Sequence, residues 1–255
     1  MSVKLELNGI SKNFGGVTAI ADFSLKAEDG QIVGVIGPNG AGKTTIFNVI
    51  SGIYPTDSGS MIFDGVDITN MQQHEIALLG LSRTFQNIRL FKGLTCMENV
   101  KAAIDTVTHY NLFQMALRLP ARAREEARID EICRRELEWV GMGDYLDARP
   151  ENLAYGYQRR LEIARALASN PKILLLDEPA AGLNPKEVLE LTDLIFRIRN
   201  ERHITILLIE HHLDMVMTLC DNIYVQNFGK TIFVGTPTQV QNDPQVIRAY
   251  LGEGD

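Results

Sequence analysis

Cysteine is scarce in this chain. Cys96, Cys133 and Cys220 lie far apart and in no metal-like spacing. A disulfide framework or a zinc module is therefore excluded, and a reduced compartment is the simpler reading. No stretch approaches the roughly 18 apolar residues that a membrane span requires. If the protein works at a membrane, another protein must hold it there. The opening Met1-Ser2-Val3-Lys4-Leu5-Glu6-Leu7 alternates like a strand and carries no apolar signal region. Positive charge is also short: Lys and Arg number 25 against 32 Asp and Glu, for a net charge of −7. Such a balance argues against a surface built for nucleic acid or anionic lipid, and nucleic acid is not an expected partner. Internal repeats and low-complexity segments are absent as well.

What remains is ordinary globular material. The 255 residues are 45% hydrophobic and 22% charged. The length fits one large α/β domain with an insertion, or two lobes. Within it, Gly37-Pro38-Asn39-Gly40-Ala41-Gly42-Lys43-Thr44-Thr45 has the spacing of a phosphate-binding loop: Gly, four residues, then Gly-Lys-Thr. Before it runs the apolar, β-branched Gln31–Ile36, as a strand buried on both faces should. After it, Ile46 to Ile50 has helical spacing and ends at Ser51-Gly52. A strand, a glycine loop and a helix N-terminus together form a cradle for polyphosphate, because the first helical N–H groups are unpaired and carry partial positive charge. Gly37, Gly40 and Gly42 permit positive φ and close backbone approach. Lys43 would reach the β- and γ-phosphates, the Thr44 hydroxyl would ligate Mg²⁺, and Thr45 would reach the α-phosphate.

In chain order, Val3, Leu5 and Leu7, and then Phe23 to Ala27, alternate as half-buried antiparallel strands. Phe14, between them, fits either a flat face for an adenine ring or a core aromatic on an edge strand. Ser58 to Ile68 is a strand with an Asp-Gly turn, and Gln72 to Leu79 a short helix. Ser82 to Gln86 reads as a short strand, followed by the irregular segment Asn87 to Leu94. From Cys96 to about Arg149 the pattern is helical. Asp130 with Arg134 and Glu131 with Arg135 are spaced as i,i+4 pairs on a solvated face.

A further helix spans Leu161 to Ala168 and stops at Asn170-Pro171. The buried strand Lys172 to Leu176 ends in two adjacent acids, Asp177 and Glu178. Asn184-Pro185-Lys186-Glu187 has the pattern of a helix start. The next strand, Ile204 to Ile209, ends in Glu210-His211-His212. Helix Leu213 to Cys220, strands Ile223 to Gln226 and Thr231 to Val234, and two closing helices complete the chain. Alternating strands and helices give a mainly parallel sheet, whose strands present their carboxyl ends to one crevice. There Asp177 would hold Mg²⁺, and Glu178 would orient or deprotonate the attacking water. His211 would contact the γ-phosphate, and Gln86 would reach the metal or the water.

This constellation resembles the ATP-binding subunits of ABC transporters across nearly the whole chain. In that family's terms Phe14 is similar to the adenine-stacking residue, Gly37 to Thr45 to Walker A, and Gln86 to the Q-loop glutamine. Ile173 to Asp177 resembles Walker B with Glu178 as base, Ala180 to Asn184 the D-loop, and His211 the switch histidine. The family's Leu-Ser-Gly-Gly-Gln signature falls on Leu153-Ala154-Tyr155-Gly156-Tyr157, where Ala154 lacks the hydroxyl and tyrosines replace Gly and Gln. The resemblance implies a P-loop NTPase core (1–86 and 165–255) with an antiparallel N-terminal β subdomain, and an inserted helical subdomain (about 87–164). It implies ATP and Mg²⁺ as ligands. It also implies that Ala154, Tyr155 and Gly156 meet the nucleotide of a second ATPase subunit, identical or related.

Glu178 to Pro185, Ile209-Glu210-His211 and Val246 to Gly252 look most like the branched-chain amino acid importers. The lipopolysaccharide-export ATPase is the next resemblance. The partners so implied are transmembrane permease subunits, contacted through Asn87 to Leu94, and indirectly a periplasmic or extracellular substrate-binding protein. The location implied is the cytoplasmic side of the inner membrane.

Overall fold

The computed structural model describes residues 2–104 and 120–251. Met1, positions 105–119 of the expected helical stretch, and Gly252 of the closing segment lie outside the described residues. The chain divides into two compact units, Met1–Gln86 with Lys172–Asp255, and Asn87–Pro171.

In the first unit, β1 (Val3–Phe14) and β2 (Val17–Glu28) pair antiparallel. Leu5, Leu7 and Ile10 face the core from one strand, and Phe23, Leu25 and Ala27 from the other. This is the alternation of a sheet with one buried face. β3 (Ile32–Ile36) is buried at all five positions, as a central parallel strand should be. It runs into α1 (Lys43–Ile50), which buries Ile46, Phe47, Val49 and Ile50.

β4 (Ser58–Phe63) turns through Asp64 and Gly65, both at positive φ, into β5 (Val66–Asp67). α2 (Gln73–Leu78) starts at a capping box made by Gln72 and Glu75. β6 is Leu81–Arg83, so the strand expected over 82–86 begins one residue earlier and stops short. The Thr84 N–H still bonds Leu175 O at 2.9 Å, but the strand ends at Arg83 and Gln86 lies on a loop.

The second unit contains α3 (Cys96–Ile104), α4 (Pro120–Trp139) and α5 (Tyr155–Ala168), which pack on one another. Val100, Ile129, Cys133, Leu137, Leu161 and Leu167 are buried. Asp130 meets Lys101 of α3 at 2.8 Å on an exposed surface. Asn99 is fully buried and holds the irregular segment in place. Its amide donates to Phe91 O at 3.1 Å and its carbonyl accepts from the Phe91 N–H at 2.9 Å. The unit boundary falls at Lys172, after α5 has ended.

The chain then returns to the first unit with β7 (Ile173–Asp177), α6 (Pro185–Arg202), β8 (Thr205–Ile209), α7 (Leu213–Leu219), β9 (Asn222–Asn227), β10 (Lys230–Gly235), α8 (Pro237–Asn242) and α9 (Pro244–Leu251). α6 begins with the expected capping box: the Asn184 side chain accepts from the Glu187 N–H at 3.1 Å, and Glu187 accepts from the Asn184 N–H at 2.9 Å.

Two sheets result. The first is antiparallel in the order β2-β1-β4-β5, the second has the order β10-β9-β3-β8-β7-β6. In the second sheet only the β10 to β9 pairing is antiparallel. One apolar core joins both sheets and α1, with Phe23, Phe47 and Phe63 as its largest members. Phe23 sits edge-on to Tyr224 of β9 at 6.0 Å, and the Tyr224 hydroxyl accepts from the Lys26 N–H at 3.0 Å. Phe23→Ala is expected to destabilise this unit by about 3–5 kcal/mol in denaturant unfolding, the cost of an aromatic-sized cavity in a packed core. A loss under about 1 kcal/mol would mean that the two sheets do not share that core.

Candidate functional site

Parallel register decides which loops are neighbours. Val35 of β3 pairs with Ile209 of β8, which pairs with Asp177 of β7, and Leu175 pairs with Arg83 of β6. The chain segments leaving β3, β8, β7 and β6 therefore emerge side by side. They carry the glycine loop, His211, Glu178 and Gln86 respectively.

In the glycine loop Gly37, Gly40 and Gly42 have φ of 150°, 80° and 96°. A Cβ on Gly37 would lie 2.1 Å from Gln226 O, and one on Gly42 would lie 2.2 Å from Ala19 O. No other residue fits at these two positions without moving the backbone. Pro38 is half-buried, Asn39 is exposed, and Ala41 is buried with its N–H on Pro38 O at 3.2 Å. Gly42 caps α1 with no side-chain bond, which leaves the first N–H groups of the helix without a side-chain acceptor. Lys43 folds into the loop and donates to Gly37 O at 2.8 Å and Pro38 O at 2.9 Å. Burial pushes its ammonium pKa down, opposed by the charges of Glu178 and Asp177. Thr44 is exposed and Thr45 half-buried at the start of the helix.

Asp177 is 1% exposed. Its Oδ2 accepts from Arg83 Nη2 at 2.7 Å, while its Oδ1 is buried without a hydrogen-bond partner. Burial pushes the Asp177 pKa above the usual carboxylate range, and the Arg83 guanidinium works against that rise. Arg83 also donates to Asn48 Oδ1 at 2.7 Å and Ser51 Oγ at 3.1 Å. Phe47 and Phe85 flank its guanidinium at 5.6 and 5.0 Å.

Glu178 follows the strand with φ of 47°, in the left-handed region that non-glycine residues seldom occupy. Its Oε2 accepts from Gln86 Nε2 at 2.8 Å, and its Oε1 lies 3.1 Å from His211 Nε2. Two of the residues singled out in the sequence, Gln86 and His211, thus each touch a third, Glu178. Phe14 is 43% exposed and stands edge-on to Tyr54 at 5.2 Å, so it is not a core aromatic.

Ala154, Tyr155 and Gly156 belong to the second unit. Ala154 caps α5 without a side-chain bond, and Tyr155 is 40% exposed in the first turn. Tyr157 packs on Tyr145 at 4.6 Å, and Gln158 donates to Leu153 O at 2.9 Å.

Two residues with structural claims on the site had no role in the sequence reading. Arg83 sat in an anonymous short strand between Ser82 and Thr84, with no local signal to single it out. Glu210 entered only as the end of a strand and as part of a subfamily resemblance, yet it is 1% exposed and accepts three backbone N–H groups. Among the described residues no group of three or more His, Cys, Asp or Glu is placed to hold a metal ion.

A phosphate-type loop leading into a helix, beside a strand ending in two acids, defines a P-loop nucleotide-binding protein. The family model for ABC transporters matches residues 20–181, and that for the branched-chain amino acid ATP-binding cassette transporter matches residues 230–255. The high-affinity branched-chain amino acid transport ATP-binding protein BraF of Pseudomonas aeruginosa is 45% identical over 249 residues, 98% of each chain. The lipopolysaccharide export system ATP-binding protein LptB of Haemophilus influenzae is 36% identical over 249 residues, 98% of this chain and 97% of that one. Among solved structures, the ADP conformation of an ATP-binding cassette of an ABC transporter superposes with a TM-score of 0.86 at 32% identity, over 99% of this chain and 100% of that one. The chain belongs to the ATP-binding cassette family of ABC transporters, and is an ATPase of that family.

Arg83→Met leaves the buried Asp177 carboxylate without its counter-charge, and is expected to cost about 3–5 kcal/mol near neutral pH. Without the guanidinium the Asp177 pKa rises further. The deficit should therefore shrink as pH falls through that raised value, because protonation removes the unpaired charge. Unfolding curves at several pH values measure this, and a deficit that does not change with pH would contradict the pairing.

Proposed function

We propose that this chain is the ATP-hydrolysing subunit of an ABC importer for branched-chain amino acids. The observation that carries this reading is the 45% identity over 98% of the chain to a branched-chain amino acid transport ATP-binding protein, against 36% to a lipopolysaccharide-export one. In this reading the core comprises 1–86 and 165–255, and the helical subdomain about 87–164. The protein works on the cytoplasmic face of the inner membrane, bound to transmembrane permeases that receive substrate from a periplasmic or extracellular binding protein. Among the described residues no helix is long and apolar enough to cross a membrane.

The glycine loop, from Gly37 to Thr45, binds the phosphates through its backbone N–H groups. Lys43 exchanges its two carbonyl partners for phosphate oxygens, and Phe14 offers its exposed ring to the adenine. Mg²⁺ fits the residues present. The orphaned Oδ1 of Asp177 is a buried acceptor in want of a donor or cation, and Thr44 has an exposed hydroxyl. A site poor in protein ligands suits an ion that keeps waters and shares phosphate oxygens. Thr44, Asp177 and Gln86 would hold it, and when bound it neutralises charge on the β- and γ-phosphates.

Glu178 accepts the proton of the attacking water through the oxygen atoms that Gln86 and His211 now contact. His211 then turns its Nε2 to the γ-phosphate. Ala154, Tyr155 and Gly156 present the uncapped start of α5 to the nucleotide of a second ATPase subunit, most naturally a related chain. The segment from Asn87 to Leu94, pinned by Asn99, carries the motion to the permease.

Glu178→Gln is expected to keep ATP binding and lose about 10²–10⁴-fold in turnover, as for a removed general base. Lys43→Ala should lose nucleotide binding. Full turnover in the glutamine variant would remove Glu178 from the mechanism. Mild-detergent capture of the tagged protein from native membranes should recover two related permeases and a second ATPase. Export-type permeases without a second ATPase would replace the importer by a lipopolysaccharide-type exporter, and purely cytosolic partners would overturn transport altogether.

A further inference from the structure

The hydrolysis scheme leaves a buried acid beside the site without a task. Glu210 stands at the carboxyl end of β8 and is 1% exposed. Its Oε1 accepts from the Ala180 N–H at 2.6 Å. Its Oε2 accepts from the N–H groups of His211 at 2.9 Å and His212 at 3.2 Å, and lies 3.2 Å from His212 Nδ1. The donors come from two loops. Ala180 is in the turn after β7, two residues beyond Glu178, whereas His211 and His212 follow β8.

Those two loops carry the pair whose separation matters. The Glu178 N–H bonds Ile209 O at 2.8 Å, the Ala181 N–H bonds Glu178 O at 3.1 Å, and His211 Nε2 lies 3.1 Å from Glu178 Oε1. The left-handed φ of Glu178 is strained and persists only where its surroundings over-determine it. A carboxylate that ties the next residues of the same turn to the neighbouring loop is such a surrounding.

We infer that Glu210 is a positioning residue for ATP hydrolysis: its carboxylate fastens the turn carrying Glu178 to the loop carrying His211 and sets the geometry between them. Charge-assisted bonds to backbone N–H groups suit this task because they are short and strong. Glutamine cannot replace the acid. One of its two terminal atoms is a donor, and would face a backbone N–H that also donates. The inference rests on the reading of Glu178 and His211 as the hydrolytic pair.

The test compares wild type, Glu210→Gln, Glu210→Asp and Glu178→Gln in the assembled transporter, with kcat and KM for ATP and the thermal midpoint of each. Glu210→Gln should lose about 10- to 100-fold in kcat, the scale for an ångström-sized misplacement, with KM for ATP within about twofold. Glu210→Asp keeps the charge on a shorter arm and should recover part of that loss. Wild-type kcat in Glu210→Gln, or a loss of kcat that follows the thermal midpoint in both variants, overturns the inference. If Glu210→Gln does not fold, amide hydrogen exchange decides. Slow exchange at Ala180 and His211 in the wild type, accelerated at both in Glu210→Asp, supports the tie, and rapid exchange at Ala180 in the wild type overturns it. An inactive Glu178→Gln beside a fully active Glu210→Gln removes only the positioning role. A fully active Glu178→Gln removes the hydrolytic pair itself, and the role of Glu210 with it.

Discussion

The parallel pairing of β3, β8, β7 and β6 is the constraint on which the site depends. Strands in one direction and in fixed register deliver their carboxyl ends together, so residues far apart in sequence become neighbours with no dedicated contact to bring them there. Gln86 and Glu178 are separated by 92 positions, yet their side chains lie 2.8 Å apart. The interiors of these strands explain why the register holds. β3, β7 and β8 are buried at every position, so sliding any of them by one residue would disturb packing on both faces at once.

Around the two acids of the site lies a second set of charged contacts that keeps them in place. Arg83 pairs with Asp177 and also donates to Asn48 of α1 and to Ser51, which caps that helix. The ion pair thereby links β6, β7 and the helix that follows the glycine loop. Glu210 does the equivalent on the other side, between the loops after β7 and β8. Buried charges are costly; the Glu210 carboxylate is met by three backbone N–H groups and the Asp177 carboxylate by the Arg83 guanidinium. The acids are thus positioned by protein contacts alone, and Lys43 rests on the loop carbonyls of Gly37 and Pro38.

Much of this was legible in the residues. The glycine loop could be read because only glycine tolerates its backbone angles, and the two acids because they end a wholly apolar strand. The capping box at Asn184 marked a helix start to the residue. The second set of charged contacts was not legible. Nothing in the local pattern around Arg83 announces a partner 94 positions away, and Glu210 looks like any polar residue that closes a strand. Strand β6 was also misjudged at its end: its pairing stops at Leu175 although β7 runs on to Asp177, and that is a tertiary fact. Phe14 needed the structure to choose between ring exposure and core packing.

The most direct test of the account is a crystal structure of the Glu178→Gln protein with Mg²⁺ and ATP. The account requires that the γ-phosphate and its water separate the side chains of Gln86, residue 178 and His211, that Lys43 leave the carbonyls of Gly37 and Pro38 for phosphate, and that Asp177 Oδ1 turn to the metal shell. A nucleotide bound with Lys43 still on those carbonyls, and with residue 178 still closed on Gln86 and His211, would contradict it.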